Sequence, residues 1–80
     1  MTRDEMEQHE LMIAGIRLVL GGKPVELQGS VIAEVLAMFV AAHNPALRDQ
    51  IRADLLRCAR DLEPVIAAQL VEEGRVPAGW

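Results

Sequence analysis

The groups in this sequence best suited to catalysis or metal binding are one thiol, two imidazoles and a cluster of carboxylates. Cys58 would be a nucleophile if His9 or His43 folded against it as a base. However, it falls between Leu55 and Leu62 on an apolar repeat, where a free cysteine ordinarily serves as a small buried hydrophobe. A buried, inert thiol is therefore expected. His43 precedes Asn44-Pro45 at the end of an apolar helical stretch, so a capping role at the negative end of the helix dipole is expected. Glu5 and His9, four residues apart, share a helix face, and several copies together could surround a metal. The di-iron bundle pattern, however, requires an acid three positions before the histidine, and that position holds Met6. No catalytic residue, metal site or cofactor is expected.

Two further motifs carry little. Gly21-Gly22-Lys23 lacks the longer glycine spacing and the Lys-Ser/Thr ending of a phosphate loop. Arg48, Arg52, Arg57 and Arg60 would be the DNA-contacting residues of a helix-turn-helix. They are interleaved with Asp49, Asp54, Asp61 and Glu63, so four positive and four negative charges cancel over residues 44–64. Such interleaving predicts salt bridges along one solvated helix, Asp49 with Arg52 and Arg57 with Asp61.

Composition frames these motifs. The chain has 80 residues, 51% of them hydrophobic, with a net charge of −4 and one cysteine. At this length a single core supplies only about 3–5 kcal/mol without a disulfide, metal or partner. One cysteine excludes an intrachain disulfide, and two histidines 34 positions apart do not make a structural zinc site. Oligomerisation is the remaining common route to stability. The acidic balance disfavours a nucleic-acid surface. The acidic start of the chain is unlike a signal peptide, and its apolar runs are shorter than the roughly 20 residues a membrane span needs. A cytoplasmic protein with no membrane association is expected.

The elements follow from the breakers. Residues 2–20 read as a helix: Thr2 as cap, Asp4 and Glu5 at the positive end of the dipole, and Gly21-Gly22 as the stop. A short hairpin across residues 16–27 is the competing reading. Residues 24–43 form a second helix, with Gln28 as an alternative start. Within it, Val31, Ile32, Val35, Leu36, Met38, Phe39 and Val40 cover about 200° of the circumference at roughly 100° per residue. Ser30, Ala33, Ala37 and Ala41 form a small-residue stripe, either a solvent face or a close helix contact. Asn44-Pro45 opens a third helix over residues 45–62, with an apolar stripe at Leu47, Ile51, Leu55, Cys58 and Leu62. Leu56 points away from that stripe. Pro64 is expected to kink or split the helix, leaving a fourth over residues 64–73 capped by Gly74, and a tail at 75–80.

An apolar sector of 200° is wider than one neighbouring helix covers. The expectation is an all-α, small three-helix bundle forming one domain over residues 1–80. It self-associates as a homodimer through Val31, Val35, Met38, Phe39, Ile51, Leu55, Leu56 and Leu62. The functional expectation is a non-catalytic protein–protein interaction module: a small adaptor, a regulator, or a phage- or mobile-element-type inhibitor. A helix-turn-helix regulator and a small enzyme or metal-binding bundle are the alternatives.

Overall fold

The computed structural model describes all residues, 1–80, and is wholly helical: α1 is Arg3–Leu20, α2 is Val25–Ala41 and α3 is Arg48–Glu72, with a 3-10 turn at Pro45–Leu47 leading into α3. There are no strands, so the hairpin alternative falls away; residues 16–20 complete α1. Two compact units are present, Met1–Leu36 and Ala37–Trp80.

Within the first unit, local chemistry sets each helix end. The Thr2 hydroxyl accepts from the Glu5 amide, and the Glu5 carboxylate accepts from the Thr2 amide at 3.1 Å, closing a capping box. The hydrogen bond from the Thr2 backbone, seconded by the Thr2 side chain, lowers the Glu5 pKa below its usual value. A depressed carboxyl pKa stabilises the folded helix end above the unfolded-state pKa and loses that stabilisation as pH falls through the folded value. Acidification below about pH 4.5 should therefore release the first turn of α1. Side-chain carboxyl NMR would follow this, with the Thr2 amide shift moving in step with Glu5. A Glu5 that titrates at the usual value with no response at Thr2 would overturn the capping box.

At its other end α1 stops on Gly21, whose amide reaches the Arg17 carbonyl at 2.9 Å. A Cβ there would meet that same oxygen at 2.9 Å, so glycine is required by close approach. The Gln28 side chain then donates to the carbonyls of Leu20 at 3.0 Å and Lys23 at 2.8 Å, tying the turn to α2. α2 begins at Val25 rather than Gln28, with the Pro24 carbonyl accepting from the Gln28 amide.

The second unit starts α3 as the sequence predicts. Asn44 accepts from the Ala46 amide at 2.9 Å and Pro45 occupies the first helical turn. Beyond that the expectation needs correcting. Pro64 lies inside an uninterrupted 25-residue helix, so residues 64–73 are not a separate fourth helix. Proline forfeits only its own N–H bond and crowds the carbonyl four residues back. That carbonyl belongs to Arg60, on an exposed turn, where water can replace the lost donor. Gly74, at φ +70°, closes α3 in a Schellman motif: the Arg75 amide bonds the Leu70 carbonyl and the Gly74 amide that of Val71.

The expected bundle core is not closed within the chain. Val40 alone is buried, at 5% exposure.

Candidate interaction surface

An open apolar surface is built on α2. At about 100° per residue, Val31, Ile32, Val35, Met38 and Phe39 share one side of this helix, spanning roughly 120°. Leu36 and Val40 point about 100–140° away from the Val35 direction. The chain treats the two sides differently: Leu36 is half-buried and Val40 buried, whereas Val35 is 59% exposed and Met38 64%. Val31, Ile32 and Phe39 are exposed too. The small-residue stripe of Ser30, Ala33, Ala37 and Ala41 is also open, so no close helix contact forms over it.

In the first unit, Val31, Ile32 and Val35 face Ile16, Val19 and Leu20 of α1 across a groove of about 330 Å³ whose lining is entirely hydrocarbon. A groove with no polar atom offers nothing to orient a polar substrate, whereas small-molecule sites pair an apolar lining with a few convergent polar groups. What it can accept is another apolar side chain or helix face.

In the second unit a shallower groove of about 240 Å³ is lined by Phe39, Ile51, Asp54, Leu55 and Cys58. Ile51 and Leu55 are half-buried there, while Leu56 and Leu62 are exposed. The eight residues expected at an interface thus fall on α2 and α3: six are open and two partly covered. Cys58 corrects the sequence reading, because it is exposed rather than buried; the apolar stripe of α3 is covered near Ile51 and Leu55 and opens beyond them. Trp80, at 81% exposure, is not tucked into a groove.

The residues with chemical potential do not converge. No group of three or more His, Cys, Asp or Glu side chains is arranged to hold a metal ion, and His9 stands exposed on α1. No single helix is long and apolar enough to cross a membrane.

His43 takes a structural position at the end of α2. Its Nδ1 lies 2.7 Å from the Phe39 carbonyl oxygen, and its ring meets Phe39 edge-on at 4.8 Å. A carbonyl can only accept, so Nδ1 carries the proton.

Sequence reasoning missed the partner of this cap. Arg48 donates from Nε to the His43 carbonyl at 3.1 Å and from Nη2 to the Ala41 carbonyl at 2.9 Å. The signal was present, since a cation a few residues past a helix end can satisfy its last carbonyls, but the spacing alone does not select Arg48 over Arg52. Replacing Arg48 with Met keeps the aliphatic stem and removes both bonds. A loss of about 1–2 kcal/mol in urea unfolding is expected, in the range for charge-assisted hydrogen bonds at a partly exposed site. An unchanged midpoint would show that water caps α2 equally well.

The remaining arginines pair locally. Arg52 reaches Asp49 at 3.0 Å, as expected from spacing, but Arg57 bridges back to Asp54 at 3.0 Å rather than forward to Asp61. Asp54 is held in place by a second donor, the Gln50 side chain, at 2.8 Å, and so presents a fixed acceptor to Arg57. Exposed pairs of this kind add at most a few tenths of a kcal/mol each.

The surface described is apolar, and no protein-family model, curated protein or solved structure matches the chain.

Proposed function

We propose that this chain is a non-catalytic protein–protein interaction module that works as a homodimer, with the open side of α2 as the centre of its interface. The observation that carries the proposal is the asymmetry of α2. A helix apolar on most of its circumference belongs in an interior, yet Val31, Val35, Met38 and Phe39 are open while Val40 on the other side is buried. Burial of each such side chain is worth roughly 1.5–3 kcal/mol when complete. A chain of 80 residues with one buried side chain gains little of this alone, and another protein surface supplies the rest. Most assemblies of small soluble chains are symmetric homo-oligomers, two-fold dimers above all, which is why a second copy is the partner we put first. Within the interaction class, a small adaptor, a regulator and a phage- or mobile-element-type inhibitor share this reading.

Two observations favour protein over nucleic acid as the partner. Arg48 is committed to the carbonyls at the end of α2, and Arg52 and Arg57 to neighbouring aspartates. Phosphate binding rests on basic side chains free to displace counterions, and a chain of net charge −4 starts from an unfavourable long-range field.

Light scattering coupled to size exclusion, across a hundredfold range of concentration, tests the proposal. The expected mass is twice the 8.8 kDa of the chain, held throughout the range. A monomer that unfolds cooperatively would overturn the homodimer, because one chain would then bury the α2 face unaided. A monomer that aggregates as concentration rises would overturn self-association yet keep the interaction reading, with a different protein as the occupant.

A further inference from the structure

We draw no further inference here: the strongest candidate, the hydrocarbon-lined groove of the first unit between α1 and α2, belongs to the surface already described, and nothing in the structure shows what covers it.

Discussion

Val35→Asp is expected to abolish self-association, raising the dimer dissociation constant by roughly a thousandfold or more. Val35 is 59% exposed in the single chain and lines the α1–α2 groove, so an aspartate there meets water as long as the chain is alone. The penalty falls on the assembled state. Burying a carboxylate without a partner costs several kcal/mol. A two-fold interface buries it twice, and about 1.4 kcal/mol is a tenfold change in affinity. Helicity should fall with the mass, because the separated chain has almost no core of its own. Light scattering gives the mass and far-ultraviolet circular dichroism the helicity. A Val35→Asp variant that stays dimeric and helical would sink the assignment of this face.

The control lies two residues further along. Ala37 is exposed and points about 200° from Val35 around the helix. Ala37→Glu should leave the mass unchanged and alter stability by no more than about 0.5 kcal/mol, as surface substitutions generally do. If Ala37→Glu disrupts assembly as strongly as Val35→Asp, the small-residue stripe is the contact and the open apolar side is not.

Pro64→Ala should stabilise the protein, and by more than most single substitutions can. Proline inside a helix is about 3 kcal/mol less favourable than alanine, through the missing N–H and the clash with the preceding turn. α3 runs through Pro64 without interruption, so it carries that penalty in the folded state. Alanine would restore the bond to the Arg60 carbonyl and remove the clash. Part of the gain is offset because proline also restricts the unfolded chain, leaving a net of about 1–3 kcal/mol. For a domain of this size, 1 kcal/mol is about 4–8 °C in Tm, so a rise on the order of 5–20 °C is expected in a thermal melt. An unchanged or lower Tm would mean that the local geometry at Pro64 is one alanine does not improve, for instance a bend that packing requires.

These two predictions sit on opposite sides of what sequence reasoning reached. The helix ends were legible because each depends on residues within one or two turns. Thr2, the glycines after Leu20, Asn44 with Pro45, and Gly74 all act at separations of a few residues, where propensity and capping are nearly independent of the rest of the fold. The broad apolar sector of α2 was legible for the same reason, as periodicity is a property of one helix. The expected break at Pro64 does not form, although its signal too is local. Its penalty is real, but a single lost bond is outweighed by the ladder propagating on both sides of it.

What the sequence determined by itself is therefore the helical type of the elements, the two ends of α1 and α2 and the start of α3 to within a few residues, and the position of the apolar surface on each, with one break too many at Pro64. Tertiary structure alone decided which parts of that surface are covered. It buried Val40 and left Val35 open on the same helix, exposed Cys58 on a stripe that reads as core, and drew Arg48 back onto the carbonyls of α2. Helix formation answers to neighbours along the chain, whereas burial depends on which distant surface arrives, and periodicity carries no record of that.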